Sequence, residues 1–320
     1  MNLRNDNNFF KAVSMLPPFE KLLLSVPNNI AEEATEIRIR AGKQIAVETV
    51  SGRYICGTRC VTIEEIYNCI KHFCDYSIHS CQRELSEGWI TLKGGHRAGF
   101  TGTAYIKDKK IETIKDISSI NIRISREHKG ISDYIYSLTA NNECFKGIII
   151  AGPPLSGKTT FLRDYCRNLG TAHKTSLIDE RGEIAASYMG VPQNDVGFNT
   201  DVLNNFSKNE GIQQDLRVLS PEFIVCDEVG EDTEALMKCA GNGVKTIVTV
   251  HCGNINEAAY NNIIQKLFET GTVNYIAFLG NGKALGNIKG LWYLEDGKSI
   301  DSCNNSNNII CDRYNCISWI

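Results

Sequence analysis

The sequence lacks any apolar run long enough to cross a lipid bilayer. Its longest such run, Gly147–Ala151, has only the length of a β-strand, whereas a membrane-spanning helix needs about 20 apolar residues. The N-terminal segment MNLRNDNNFFKAVSML is polar and has neither the apolar core nor the small-residue cleavage site of a signal peptide. We therefore expect a protein that is made and kept in the cytoplasm.

The sequence also lacks an excess of basic residues. It has 34 Lys and Arg against 37 Asp and Glu, a formal net charge of −3. Dedicated DNA- and RNA-binding proteins need clustered positive charge to neutralise phosphates, so we expect no nucleic-acid partner, although a local basic patch stays open. Hydrophobic residues make up 42% of the chain, which is typical of a soluble globular protein with a substantial core.

Cysteine is abundant, but the paired spacing of many zinc sites is missing. The chain has 13 cysteines and no C-x₂-C pair. One cluster leaves two interpretations open, and its members are Cys69, His72, Cys74, His79 and Cys81. These residues could ligate a metal, or they could lie on a helix in which cysteine serves as a small buried apolar residue. The spacing favours the helix, and the absence of a signal peptide favours free thiols over disulfides.

The patterning of apolar residues divides the chain into two domains. The first part mixes strand-like alternation with a helix that opens on a Thr62-x-x-Glu65 capping box, which indicates an α+β domain. From Lys146 onward, short apolar strands alternate with helix-period stretches, the pattern of parallel βαβ units. The predicted boundaries are 1–130 for the α+β N-terminal domain, 131–145 for a linker, 146–300 for the second domain and 301–320 for a flexible polar tail.

The second domain opens with a phosphate-binding motif. The segment from Gly152 to Thr159 fits G-x-x-x-x-G-K-[ST] and lies between a predicted strand and a predicted helix, which is the context that the motif requires. In such a loop backbone N–H groups surround phosphate oxygens, the lysine reaches the β- and γ-phosphates and the threonine hydroxyl ligates Mg²⁺. The predicted nucleotide-binding residues are Gly152, Pro153, Pro154, Leu155, Ser156, Gly157, Lys158, Thr159 and Thr160.

Two acids follow a second apolar strand, FIVC, about 70 residues after the loop. An Asp at such a position holds Mg²⁺ through water in P-loop proteins, which predicts Thr159 and Asp227 as the metal-binding pair. The adjacent Glu228 can orient and deprotonate an attacking water. Together, the strand order and these motifs predict an α/β fold class, with a RecA-like P-loop ATPase domain preceded by a smaller α+β N-terminal domain.

Two further strand ends are polar, and ligand chemistry collects at the carboxyl ends of strands in open parallel sheets. Thr249 and His251 close one strand, where they are candidates for sensing the γ-phosphate; for His251 a structural hydrogen-bonding role is the alternative. The segment Asp179–Glu183 closes another strand, either near the nucleotide or as a solvated turn. Positive charge near the γ-phosphate has to come from elsewhere, and the first domain offers several arginines.

These segments together resemble the type II/type IV secretion ATPase superfamily and, within it, the stage III sporulation AA family. The matching segments include EIRIRAGK (36–43), GGHRAGFTG (94–102), AGPPLSGKTTFLRD (151–164), IDERGEI (178–184) and LRVLSPEFIVCDEVG (216–230). The P-loop departs from the common GGTGSGKT by two prolines, which remove two amide donors. We therefore expect a stiffer loop and a modest affinity for nucleotide.

The resemblance implies roles for particular residues. Glu228 corresponds to the catalytic glutamate, His251 to the histidine segment, and Glu180 and Glu183 to an acidic segment beside the nucleotide. The predicted catalytic residues are thus Lys158, Glu180, Glu183, Glu228 and His251. Arg97 and Arg123 correspond to first-domain arginines that approach the phosphates.

The resemblance also implies ATP and Mg²⁺ as ligands and a homo-oligomer, a ring-shaped hexamer. Its partners would be membrane proteins of the stage III sporulation complex, a channel between mother cell and forespore, with the ring on the cytoplasmic face of the membrane. Three other functions stay open: a nucleic-acid-dependent ATPase of similar core, a small-molecule kinase or GTPase, and a non-hydrolysing ATP-regulated scaffold. The guanine motif Asn-Lys-x-Asp is absent, which argues against a GTPase.

Overall fold

Two β-sheets, each with its own helices, organise the computed structural model, which describes residues 7–77, 81–140, 142–230, 233–281, 286–294 and 314–317. The chain divides into two compact units. Unit 1 comprises the described residues of Met1–Arg126 and Ala186–Gln193, and unit 2 those of Glu127–Ala185 and Asn194–Ile320.

Unit 1 is built on an antiparallel sheet of six strands in the order β3-β2-β1-β6-β5-β4. The strands are β1 (Ala34–Arg40), β2 (Ile45–Thr49), β3 (Arg53–Cys56), β4 (Trp89–Thr91), β5 (Arg97–Lys107) and β6 (Lys110–Arg123). The helices are α1 (Asn8–Val13), α2 (Glu20–Leu23), α3 (Asn28–Glu33), α4 (Ile63–Phe73) and α5 (Gln82–Glu87), with a 3-10 turn at Pro17–Phe19.

Helix α4 shows why this segment folds as the sequence predicts. Thr62 accepts from the Glu65 backbone N–H and the Glu65 carboxylate accepts from Thr62 N, so the predicted capping box is confirmed. Cys69 lies on the buried face of the helix, and Cys74 follows it, also buried. Burial raises the pKa of each thiol to about 12. No group of three or more His, Cys, Asp or Glu side chains in the described ranges could hold a metal, and His79 of the predicted cluster lies outside those ranges.

Unit 2 contains an eight-stranded sheet in the order β14-β13-β12-β7-β11-β10-β8-β9. The strands are β7 (Gly147–Gly152), β8 (Thr175–Asp179), β9 (Thr200–Asn204), β10 (Phe223–Cys226), β11 (Lys245–His251), β12 (Tyr275–Leu279), β13 (Ile288–Leu294) and β14 (Tyr314–Ile317). The six from β12 to β9 run parallel, and β13 and β14 are antiparallel additions. The helices are α6 (Asp133–Thr139), α7 (Lys158–Ala172), α8 (Lys208–Val218), α9 (Thr233–Gly241), α10 (Ile255–Tyr260) and α11 (Asn262–Glu269).

The strands of unit 2 are continuous apolar runs because both faces of the sheet are covered. All six residues of β7 are buried, and alternate residues enter different cores. Ile149 packs with side chains of α9 and α11, while Ile148 and Ile150 pack with those of α6 and α7. Burial on both faces is the reason that parallel strands show no alternation with polar residues. The predicted α/β class is confirmed.

Several elements differ from the sequence prediction. Strand β9 and helix α8 were not predicted, and the helix-period stretch that follows β11 forms two helices, α10 and α11. The break falls at Asn261, whose side chain accepts from the N–H groups of Ile263 and Ile264 and starts α11. The predicted linker contains α6, with Ile135 in the core of unit 2. The predicted tail lies outside the described residues except for β14, which pairs with β13. Within the described ranges, no helix is both long and apolar enough to span a membrane.

Candidate functional site

The phosphate-binding motif forms the turn between β7 and α7, and two of its glycines are required by geometry. A Cβ on Gly152 would lie 2.4 Å from the carbonyl oxygen of Leu279, closer than such atoms approach. Gly157 precedes α7 with a φ of +88°, a left-handed conformation that favours glycine. Leu155 is fully exposed, and the buried Ser156 hydroxyl has no hydrogen-bond partner among the described residues. The loop thus has a backbone cradle and a polar group available to a ligand.

Lys158 projects into this loop. Its Nζ donates to the carbonyl oxygens of Gly152 at 2.9 Å and Pro153 at 2.8 Å, and the residue is only 6% exposed. Burial lowers the pKa of the ammonium group, and the charges of Asp227 and Glu228 oppose that shift. A buried cation held by neutral carbonyls is well suited to receive an anion.

A chain of hydrogen bonds links the loop to the ends of β10 and β11. Thr159 Oγ1 donates to Asp227 Oδ2 at 2.8 Å, and Thr249 Oγ1 donates to Asp227 Oδ1. The Glu228 backbone N–H in turn donates to Thr249 Oγ1 at 2.7 Å. The Thr159 hydroxyl and the Asp227 carboxylate are oxygen groups of the kind that Mg²⁺ prefers. The residues present therefore fit a magnesium–nucleotide complex.

Register explains why these residues meet. His251 of β11 lies opposite Gly152 of β7, and Cys226, the last residue of β10, lies opposite Val248 and Ile178. Parallel strands in register bring their carboxyl ends to one edge of the sheet. The loop, the two acids and the histidine consequently share that edge.

Glu228 is held at both carboxylate oxygens. His251 Nε2 lies 2.6 Å from Glu228 Oε1, and Arg181 forms an ion pair with Glu228 Oε2. The backbone of Glu228 is in the left-handed region, with φ +52°. Burial opposes ionisation of Glu228, but the hydrogen bond from His251 and the charge of Arg181 outweigh it, so the pKa of Glu228 is lowered. The carboxylate is therefore ionised at neutral pH.

The acidic segment after β8 combines a structural carboxylate with exposed ones. Asp179 is buried and accepts from the N–H groups of Glu183, Ile184 and Ala185 at 2.8–3.1 Å. Burial raises the pKa of Asp179, and these three hydrogen bonds counteract the shift. Glu180 and Glu183 are exposed, and Glu180 forms an ion pair of 2.5 Å with Lys208. Arg181 is the member of the segment that contacts Glu228.

Arg97 and Arg123 lie in unit 1, opposite each other on β5 and β6. The Arg97 guanidinium lies over the Trp89 ring at 3.8 Å from its centroid, and Arg123 Nε lies 3.5 Å from Glu36 Oε1. Each is thus placed by contacts within its own unit. Their approach to a nucleotide stays a prediction.

Sequence reasoning did not identify Arg181 as a site residue in its own right. It also gave Thr249 a sensing role, whereas here the hydroxyl joins Asp227 to the Glu228 backbone. The position of Thr249, two residues before His251 at the end of a buried strand, is a signal that points to this edge. No local pattern distinguishes Arg181 from an arginine of a solvated turn.

Comparisons with known proteins agree with this architecture. A model of the family "Sporulation stage III, protein AA" matches residues 15–300. The stage III sporulation protein AA of Bacillus subtilis strain 168 is 32% identical over 292 residues, covering 88% of this chain and 94% of that protein. The protein SEEDLING PLASTID DEVELOPMENT 1 of Arabidopsis thaliana is 24% identical over 264 residues, covering 80% of this chain but only 35% of that protein.

Solved structures show the same fold. The ATPase DotB of Legionella pneumophila superimposes with a TM-score of 0.52 and 16% identity, covering 89% of this chain and 80% of that chain. The pilus retraction motor PilT, solved with bound ADP, superimposes with a TM-score of 0.51 and 14% identity, covering 83% and 77%. The predicted RecA-like P-loop ATPase fold is confirmed.

Proposed function

The chain belongs to the sporulation stage III, protein AA family, and from this membership and the geometry of the site we propose that it hydrolyses ATP to ADP and phosphate with Mg²⁺. One observation carries the proposal: the hydrogen-bond chain from Thr159 through Asp227 and Thr249 to the Glu228 backbone. This chain joins the motif that would bind phosphate to the residue that would activate water.

In this proposal the loop binds the phosphates and Lys158 neutralises their charge. The loop positions are Gly152, Pro153, Pro154, Leu155, Ser156, Gly157, Lys158, Thr159 and Thr160. The Lys158 ammonium exchanges its two carbonyl partners for phosphate oxygens. Bound Mg²⁺ would supply charge neutralisation on the phosphates, and Thr159 and Asp227 would hold it, the latter through water.

Glu228 would act as the general base. Its ionised carboxylate takes a proton from a water whose oxygen attacks the terminal phosphorus, and the bond from that phosphorus to the oxygen bridging it to the β-phosphate breaks. His251 holds one carboxylate oxygen at 2.6 Å and so orients the base. Glu180 and Glu183, exposed on the neighbouring turn, would line the nucleotide rim.

On the scale of the assembly, we propose a motor of the secretion-ATPase type. Resemblance to that superfamily supports a homo-oligomer, a hexamer, in which Arg97 and Arg123 approach the phosphates. It would dock from the cytoplasm on membrane proteins of the stage III sporulation complex and energise their channel.

ATP turnover by the wild type and by Glu228→Gln, with Mg²⁺ and with the metal chelated, tests the proposal. General-base catalysis contributes about 10²–10⁴-fold, so we expect a loss of that size in the variant and the same dependence on Mg²⁺. Glu234→Gln, at an exposed position in the first turn of α9, is the matched control and should keep wild-type turnover. Equal turnover in Glu228→Gln and wild type would refute hydrolysis at this site.

Two further measurements address the alternatives. Mass determination with and without a non-hydrolysable ATP analogue tests the ring, and a strictly monomeric protein in both conditions contradicts it. Addition of DNA or RNA to the turnover assay tests the alternative of a nucleic-acid-dependent ATPase. That alternative predicts that the nucleic acid stimulates ATP hydrolysis.

A further inference from the structure

Arg181 occupies an unusual place in the site. It belongs to the turn that follows β8, and its side chain reaches Glu228 at the end of β10. The backbone of the turn is anchored, because the buried Asp179 carboxylate accepts hydrogen bonds from three backbone N–H groups that follow Arg181. The Arg181 side chain itself is 66% exposed. An anchored backbone with a solvated side chain allows the guanidinium to change partners without refolding of the turn.

The ion pair also restrains the proposed base. Glu228 contacts His251 through one carboxylate oxygen and Arg181 through the other. A general base has to offer an oxygen to the water it deprotonates. With Arg181 in place, one of the two oxygens faces a cation instead. Departure of Arg181 would free Glu228 Oε2 to contact that water.

A terminal phosphate is a stronger partner for Arg181 than a carboxylate. It carries more negative charge, and, like a carboxylate, it can meet the planar fork of a guanidinium in a bidentate contact. A nucleoside triphosphate in the loop would bring that phosphate to the edge of the sheet where the carboxylates of Asp227 and Glu228 already lie, so a nearby cation is favoured there. ADP, which has no terminal phosphate of this kind, would leave the ion pair intact.

We propose that Arg181 senses the terminal phosphate of ATP: Glu228 holds the guanidinium when that phosphate is absent, and the phosphate takes it and so releases Glu228 to act as the base. The inference rests on the proposed function in that ATP is the ligand. It differs from the expectation that positive charge comes from unit 1, because Arg181 belongs to the same unit as the P-loop. Hydrolysis thereby depends on the third phosphate being present.

Nucleotide binding without turnover tests the proposal. The affinities of ADP and of a non-hydrolysable ATP analogue, both with Mg²⁺, are measured for wild type, Arg181→Ala and Arg181→Lys. Hydrogen bonds to charged groups predict a loss of about tenfold or more in analogue affinity for Arg181→Ala. We expect ADP affinity to change less than about twofold, and Arg181→Lys, which keeps the charge but not the fork, to be intermediate.

Arg217→Ala is the matched control, since Arg217 is an exposed arginine of the same unit in the last turn of α8. It should leave both affinities unchanged. Equal losses for ADP and the analogue in Arg181→Ala would assign Arg181 a structural role and overturn the proposal, as would unchanged analogue binding. A wild type that binds both nucleotides but does not hydrolyse ATP itself would refute the proposed function and leave this test in force.

A second measurement probes the exchange itself. Glu228→Gln breaks the ion pair, so Arg181 no longer has to leave a charged partner; a partly exposed pair predicts a gain of about two- to fivefold in analogue affinity. When Glu228→Gln is combined with Arg181→Ala, the gain in analogue affinity that comes from breaking the ion pair should disappear. The same gain in both backgrounds would show that Glu228 and Arg181 act independently, which contradicts the exchange.

Discussion

The Thr249 hydroxyl offers the sharpest test of how the site is held together. Thr249 is fully buried, and its hydroxyl donates to Asp227 Oδ1 and accepts from Glu228 N at 2.7 Å. Valine has the same shape without the hydroxyl. Thr249→Val therefore removes a donor from a carboxylate and an acceptor from a backbone N–H, with little change in packing. Thr249→Ser keeps the hydroxyl and removes only a methyl group.

The magnitudes separate the two variants. A hydrogen bond to a charged group contributes about 1.5–3 kcal/mol, and an unsatisfied buried N–H costs about 1–3 kcal/mol. Asp227 and Glu228 are only half-buried, so water replaces part of the loss. We expect Thr249→Val to lower the free energy of unfolding by about 2–4 kcal/mol. Thr249→Ser removes one buried methyl group, so we expect it to lower the free energy of unfolding by only about 1 kcal/mol.

Hydrogen exchange at the amides of β10 and β11, compared between the two variants under native conditions, measures this difference locally. A local readout is preferable because the chain has two units, and global unfolding of such a chain need not be two-state. Faster exchange in Thr249→Val than in Thr249→Ser is the expected result. Equal protection in the two variants would refute the idea that the hydroxyl, rather than the shape of the side chain, fixes the two acids.

Two further predictions concern stability. Burial raises the pKa of Asp215 to about 6 from 3.8, and Ser176 donates to it at 2.7 Å. The free energy of unfolding should therefore fall as pH rises from 4 to 6, by at most about 3 kcal/mol. Asp215→Asn should flatten that fall and should be more stable than the wild type at pH 7 in urea unfolding. A variant that is less stable than the wild type at pH 7 would contradict this prediction. Gly152→Ala should abolish ADP binding and lower the melting temperature, because its Cβ would meet the Leu279 carbonyl at 2.4 Å. Gly241→Ala, whose Cβ meets nothing within 4 Å, is the control and should do neither.

The sequence predicts best where one local pattern determines the structure. The P-loop is such a case, since its glycines, its preceding apolar strand and its following helix are contiguous. The capping box at Thr62 and Glu65 is another, because both partners lie within one turn. Asp227 and Glu228 could also be placed, since any acid that ends a central parallel strand arrives at the same edge of the sheet.

Prediction fails where the structure depends on contacts distant in sequence. Strand β9 lies at the edge of the sheet, and all but one of its residues are exposed or half-buried. It therefore lacks the apolar run that marks a central strand. The contact of Arg181 with Glu228 joins two turns that meet only after the sheet has formed. The geometry of this contact depends on the hydrogen bonds by which the Asp179 carboxylate holds the backbone just after Arg181. No sequence pattern around Arg181 predicts those hydrogen bonds.

The two prolines of the loop and Arg181 give one account of nucleotide selection. Pro153 and Pro154 have no backbone N–H, so the loop has two fewer amide donors than a P-loop without proline. We expect that loss to weaken backbone binding, which ADP and ATP share, whereas the contact we propose for Arg181 is available to the triphosphate alone. A site built in this way gains a larger share of its affinity from the third phosphate. Discrimination between ATP and ADP should then depend on one arginine side chain more than on the loop, and the single substitution Arg181→Ala should reduce it by about tenfold or more.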